Sequence, residues 1–249
     1  MNPTLTGKHA LVTGGSRGIG RAIVLALARA GADVLACHQN PSAEADQLAA
    51  ELKRTEGDHH LLQADITDPV DVDRLVDEAR TRYGSLEIVV HNAGVISHVP
   101  LPELELADWH RVLDTSLTAA FVVVQKTLPL YGEQSSVILI GSRSAARGIP
   151  LRSHYTAAKA GLEGFARSAA KELGGRGVRV NVIAPGVIDS DDTKAIPAEQ
   201  RAQLIARYGE KTALGRLGET DEIADAAVFL AGNLSSYVTG QTINVDGGI

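Results

Sequence analysis

Short, wholly apolar runs alternate along this chain with longer stretches of helical period, and that alternation leaves few folds open. Residues 9–13, 33–37, 60–64, 86–90, 137–140, 178–183 and 242–245 read as strands. Residues 18–30, 41–55, 70–83, 105–131, 154–173, 198–208 and 221–231 read as helices; in the first of these Ile19, Ile23, Ala26 and Leu27 share one side. A strand that is apolar on both faces must be covered on both. Strict alternation with helices then predicts a parallel sheet, and right-handed crossovers make it a doubly wound α/β sheet with helices on both faces. At 249 residues the chain fits one such unit, spanning 1–249. The least regular stretch, 186–218, is expected to form a lid over the site.

The bulk composition narrows the function classes. A formal net charge of −6 argues against nucleic acid or an anionic membrane as the main partner. Cys37 is the only cysteine, so no intramolecular disulfide can form. No apolar run approaches the roughly 20 residues that span a bilayer, and the first residues lack a signal-peptide layout. A soluble, cytoplasmic protein is the expectation. The eight histidines show no HExxH spacing, so no metal is expected. Ser142 lacks a GxSxG setting, which argues against hydrolase chemistry.

Two constellations carry chemistry. Thr13-Gly14-Gly15-Ser16-Arg17-Gly18-Ile19-Gly20 joins the first strand to the first helix. Its glycines allow a tight turn, and N–H groups at the helix start can face a diphosphate. Taken alone, such a turn is also consistent with a mere tight loop. The second is Tyr155 with Lys159, one helical turn apart on one face, and Ser142 just past the fifth strand. Ligands of open α/β sheets bind outside the carboxyl ends of the strands. A lysine ammonium there is expected to lower the tyrosine from its usual value near pH ~10, making Tyr155 a general acid. Ser142 would hydrogen-bond the same carbonyl oxygen.

From Leu5 onward the chain resembles the short-chain dehydrogenase/reductase family, and within it ketoreductases related to 3-oxoacyl-carrier-protein reductase. The resemblance rests on TGGSRGIG at 13–20, Asp65, Asn92-Ala93-Gly94, Ser142, Tyr155 with Lys159, Asn181, Pro185-Gly186, and TGQTINVDGG at 239–248. It implies a Rossmann fold of seven parallel strands and a nicotinamide cofactor. It also implies roles. Gly14, Ser16, Arg17, Gly18, Ile19 and Gly20 line the diphosphate and ribose. Asp65 and Ile66 border adenine, and Asn92, Ala93 and Gly94 the adenosine ribose. Lys159 holds the nicotinamide ribose and tunes Tyr155. Pro185, Gly186, Val187, Ile188 and Ser190 border the carboxamide. A homotetramer is the family habit.

The chain departs from the family pattern at two places. Ser116 stands where the family has a catalytic asparagine, whose carbonyl bends the long helix and holds a water leading from Lys159 to solvent. A serine that bonds back to a carbonyl one turn earlier bends a helix too. His91 stands where asparagine is common and is read as a packing choice. His154 is expected to point away from the Tyr155 face.

The second strand ends in Cys37-His38-Gln39-Asn40, with no acid for ribose hydroxyls. Arg17 suits a 2′-phosphate, with His38 and Asn40 adding hydrogen bonds, so NADP(H) is expected. Val95, Ser97, His98, Arg143, Ile149, Leu151 and Asp192 are the candidate substrate contacts. Arg143 and Arg147 are more readily read as solvated charges than as substrate contacts. Arg176 keeps one base suited to an acidic carrier protein, whereas Glu133 stands where another base is usual. A tailoring ketoreductase for a polyketide or other bulky cyclic ketone is the leading expectation. A 3-oxoacyl-carrier-protein reductase is the alternative, and a non-catalytic dinucleotide-binding regulator the alternative of another class.

Overall fold

A computed structural model describes residues 4–249, apart from the side chains of Asp192 and Lys194. The chain runs β1 (His9–Thr13), α1 (Gly18–Arg29), β2 (Asp33–His38), α2 (Ala43–Leu52), β3 (His60–Gln63), α3 (Pro69–Tyr83), β4 (Leu86–His91) and α4 (Leu106–Leu113). After a π-helical turn at Asp114–Thr118 come α5 (Ala119–Thr127), β5 (Tyr131–Ile140), α6 (Ser144–Arg147), α7 (Ser153–Leu173) and β6 (Arg179–Pro185). The last third holds β7 (Ile188–Asp189), α8 (Asp191–Lys194), α9 (Ala198–Gly209), β8 (Gly218–Glu219), α10 (Thr220–Ala231) and β9 (Thr242–Val245). Seven strands form one sheet in the order β3-β2-β1-β4-β5-β6-β9, and every neighbouring pair is parallel.

The central strands are apolar on both faces because successive side chains serve two cores. Ala10 and Val12 of β1, Ile88 and Val90 of β4, and Ile138 and Ile140 of β5 pack beneath α1 and α10. Leu11, Val89, Val137 and Leu139 face the other way, toward α3, α5 and α7. The strand order reverses direction between β1 and β4, so the loops leaving their carboxyl ends diverge and open a crevice.

The helix expected over 105–131 is not continuous. At Ala119 the N–H reaches back five residues to Asp114 O, which widens the turn. Pro129 lies within a 3-10 turn directly after α5, where its ring prevents continuation of the α-helical ladder. Tyr131 then begins β5, pairing with Leu86, six residues before the expected start at 137. Elements α6, α8 and the β7–β8 pair are too short to leave a periodic signal.

In the first turn, Gly18 has φ +54° and open space where a Cβ would stand, whereas a Cβ on Gly20 would lie 2.1 Å from Gly14 O and 2.4 Å from Asn92 Nδ2. The two glycines therefore answer different demands, one conformational and one of close approach. Urea unfolding should show Gly20→Ala losing about 1–3 kcal/mol from overpacking and Gly18→Ala about 1 kcal/mol from backbone strain. A larger loss for Gly18→Ala than for Gly20→Ala would contradict this division.

Candidate active site

The crevice floor is built by Thr13 at the end of β1. Its hydroxyl accepts the N–H groups of Asn92 and Ala93, each at 3.2 Å. Asn92 in turn donates from Nδ2 to Gly14 O at 2.8 Å. The loops after β1 and β4 are thus bound to one another, and the Asn92 amide serves the glycine-rich turn as well as the cleft wall.

Above this floor lies a cleft of about 1380 Å³. It gathers all the expected cofactor residues: Gly14, Ser16, Arg17, Gly18, Ile19 and Gly20 from the first turn, His38 at the end of β2 and Asn40 just past it, and Asp65 and Ile66 after β3. Asn92, Ala93 and Gly94 follow β4, Pro185 ends β6, and Gly186, Val187, Ile188 and Ser190 follow it. At the start of α1 the Gly18 N–H donates to the Asp191 carboxylate at 2.9 Å. The terminus therefore accepts an anionic group in this structure, as helix N-termini do. Asp65 is held by Gln39 Nε2 at 2.8 Å and by Thr67. Glu44, in the first turn of α2, also lines the cleft, and Arg17 helps to hold its carboxyl below the usual range, after hydrogen bonds to its own N–H and to Ser42. An acid sought only at the strand end leaves Glu44 unnoticed in the sequence.

Ser142, Tyr155 and Lys159 converge on the same cleft. The Ser142 oxygen accepts both the Ser144 N–H at 3.1 Å and the Ser144 hydroxyl at 2.9 Å. Its lone pairs are filled, so its own proton points outward as a donor. Ser144 is thus a supporting residue that no motif disclosed. Lys159 is buried and donates to Ile140 O at 2.7 Å. Burial pushes its pKa down to about 8. Its Nζ stands 5.6 Å from the Tyr155 ring centroid.

The expectation that Lys159 lowers Tyr155 is corrected. Burial raises the Tyr155 pKa above its ordinary value, and hydrogen bonding with Ser142 and the charge of Arg152 only partly oppose that. Desolvation of a phenolate outweighs these contacts.

Ser116 is fully buried in the π-helical turn. Its hydroxyl finds no partner among the described residues, so the expected bond back along the helix does not form; the π-turn supplies the bend instead. Its Oγ lies 3.2 Å, and Lys159 Nζ 3.4 Å, from where a Cβ on Gly94 would stand. The serine is therefore beside the catalytic group.

The substrate candidates divide. Val95, Arg143 and Ile149 line the cleft, with Arg143 ion-paired to Asp246 at 2.5 Å. Ser97, His98 and Leu151 do not. Ser97 is drawn to His154 Nε2 at 2.7 Å and Asp108 at 2.9 Å. His98 accepts from Arg152 at 2.8 Å, and Leu151 is exposed at φ +68°. The Asp192 side chain lies outside the described residues. Arg152, Leu204, Arg207, Tyr208 and Lys211 line the cleft as well; they come from the lid and the residue before α7, where the sequence offers no motif.

Among the described residues no helix is long and apolar enough to cross a membrane. A family model described as enoyl-(acyl carrier protein) reductase matches residues 14–249. The chain is 38% identical over 248 residues to 3-oxoacyl-(acyl-carrier-protein) reductase FabG of Escherichia coli strain K12, covering 98% of this chain and 97% of that protein. A short-chain dehydrogenase from Burkholderia cenocepacia J2315, solved in complex with NADP, superposes with a TM-score of 0.90 at 35% identity over 98% of each chain. A blue fluorescent protein from a metagenomic library, solved in complex with NADPH, gives a TM-score of 0.90 at 38% identity, covering 100% of this chain and 99% of that one. With the fold, the cleft and the Ser142–Tyr155–Lys159 group in agreement, the chain belongs to the short-chain dehydrogenase/reductase family of oxidoreductases.

Proposed function

We propose that this chain is an NADPH-dependent ketoreductase that reduces 3-oxoacyl thioesters. The observation that carries the reductase chemistry is that Ser142, whose oxygen already accepts twice from Ser144, lines one large cleft with Tyr155 and Lys159. Two O–H donors at one point suit a carbonyl oxygen becoming a hydroxyl better than a carbon–carbon double bond. NADPH, when bound, supplies the hydride to the carbonyl carbon. Tyr155 gives its proton to the oxygen, Ser142 stabilises the charge that develops there, and Lys159 stands behind the phenol as the buried cation.

NADPH rather than NADH is supported by the absence of an acid at the end of β2 and by Arg17 on the cleft wall. Two similar structures were solved with NADP and with NADPH. The thioester takes precedence over the bulky cyclic ketone expected first, because full-length relatives at 38% and 39% identity are named 3-oxoacyl-(acyl-carrier-protein) reductases. Arg147, Arg152, Arg207 and Lys211 on the cleft wall also favour an anionic arm. A polyketide-type cyclic ketone is the second reading, favoured by the width of the cleft. Exposed Leu106 and Phe121 on α4 and α5 suit the homotetramer of the family.

NADPH oxidation with acetoacetyl-coenzyme A, a cyclic ketone and a crotonyl thioester decides between these readings; turnover of the acetoacetyl thioester above the other two is expected. Tyr155→Phe should lose at least about 100-fold in kcat, the scale of a general acid. Arg17→Ala should raise KM for NADPH several-fold more than KM for NADH, and an equal effect on both would remove Arg17 from the choice. Lys159 provides a test by stability. Its folded pKa of about 8 lies below its ordinary 10.5, so the folded chain carries an unfavourable buried charge below pH 8. That cost fades as pH rises from about 8 toward 10.5. Lys159→Met should therefore stabilise the protein at pH 7 by about 1–3 kcal/mol, with the gain shrinking at alkaline pH, while turnover is lost.

A further inference from the structure

The end of the second strand is where a dinucleotide-binding sheet reads the 2′ position of the adenosine ribose, with an acid for a hydroxyl or a cation for a phosphate. Here that end is His38, the last residue of β2, half-buried and on the cleft wall. The backbone around it is held from both sides: the Gly15 N–H donates to Cys37 O and the Ala64 N–H to His38 O, each at 2.9 Å. The ring is held as well. Its Nδ1 stands 2.8 Å from Asn40 O. A carbonyl oxygen only accepts, so Nδ1 carries a proton and donates it. Among the described residues the ring makes no other hydrogen bond, which leaves Nε2 to a ligand in the cleft.

The protonation of Nε2 decides what it can face. In the neutral ring, with its proton on Nδ1, Nε2 is a bare lone pair. It accepts from a hydroxyl and offers nothing to a phosphate dianion. In the imidazolium it is an N–H, a charge-assisted donor to phosphate. A ribose hydroxyl both donates and accepts, so it suits either state. The charged groups lining the cleft from the neighbouring elements are Arg17 on the glycine-rich turn, Glu44 on α2 and Asp65 after β3. A guanidinium and two carboxylates keep their charges between about pH 6 and 9. Burial pushes the adjoining Cys37 thiol up to about 12, so it stays neutral there. In this group an imidazole alone changes charge near neutrality.

We propose that His38 is a specificity-determining residue that grips the 2′-phosphate of NADPH through a proton taken up from solvent as the cofactor binds, so that the preference for NADPH over NADH declines as pH rises. This role deepens the NADPH reading and rests on it.

Calorimetric titration of the full chain with NADP⁺ and with NAD⁺, in two buffers of different ionisation enthalpy, counts the protons exchanged without any turnover. Near pH 7.5 NADP⁺ should bring about half a proton onto the protein or more, and NAD⁺ close to none. A pKa raised by binding adds affinity that is complete below the free value and is lost as pH rises through the bound one. The ratio of Kd for NAD⁺ to Kd for NADP⁺ should therefore fall about tenfold from pH 6.5 to 8.5, the scale of one hydrogen bond to a charged group. The phosphate's own ionisation near pH ~6 works in the opposite sense, because the dianion draws a cation more strongly. In His38→Gln the amide is a donor that does not titrate, so the ratio should stay level or rise over the same range and the proton uptake should vanish. A level ratio and no proton uptake in the wild-type chain, which need no variant to observe, overturn the proposal. A fall of equal size in His38→Gln overturns it too. If NAD⁺ binds more tightly than NADP⁺ at every pH, the NADPH reading itself fails and takes the proposal with it.

Discussion

One hydroxyl ties the site together. Thr13 Oγ1 receives the N–H groups of Asn92 and Ala93 and faces His91 Nδ1, so it joins the ends of β1 and β4 where the sheet changes direction. Parallel strands leave their terminal N–H groups unpaired at such a point, and a buried unpaired N–H is costly. Satisfying two of them with one side chain fixes the separation of the loops that form the cleft. Asn92 extends the tie to the glycine-rich turn, and Gly20 is bare because those same atoms leave no room for a methyl group.

The site is held by burial as much as by bonding. Lys159 keeps its charge in a place that penalises it, with the Ile140 carbonyl as its partner. Such a group lowers stability and persists through its role. Its neighbours carry related penalties: Ser116 Oγ and His91 Nε2 are buried polar atoms without partners among the described residues. Three strained requirements within one small volume mark a site rather than a core.

Much of the sheet was legible because it obeys one rule. The central strands are apolar on both faces, which a doubly covered sheet explains, and β1 and β9 match the reading residue for residue. The interruption of the long helix was not legible. Nothing in Asp114-Thr115-Ser116 distinguishes a π-turn from an α-turn, since the turn is selected by what packs against it. The glycine-rich turn and the Ser142–Tyr155–Lys159 group were readable because chemistry demands given residues at given spacings. That Ser97 and His98 lie off the cleft was not readable for the opposite reason: a loop's direction depends on partners such as Asp108, His154 and Arg152, which are distant in sequence. Ser144, Arg207 and Lys211 belong to no motif and become visible only when their elements are placed.

In the proposed reaction the raised pKa of Tyr155 looks at first unsuited to a general acid and is better understood as half of what that role requires. A general acid must hold its proton until the substrate oxygen becomes basic. Burial secures that half by penalising the phenolate. The other half is release, which requires that the phenolate be tolerable at the moment of transfer. Ser142 serves release, since its outward proton can bond the phenolate, and its direction is set by Ser144 rather than by the substrate. Lys159 serves it as a positive charge in a medium of low polarity, where Coulomb attraction weakens slowly with distance. The surroundings therefore oppose ionisation while Tyr155 waits and support it while Tyr155 acts, and a cation held one helical turn away, rather than against the hydroxyl, meets both demands.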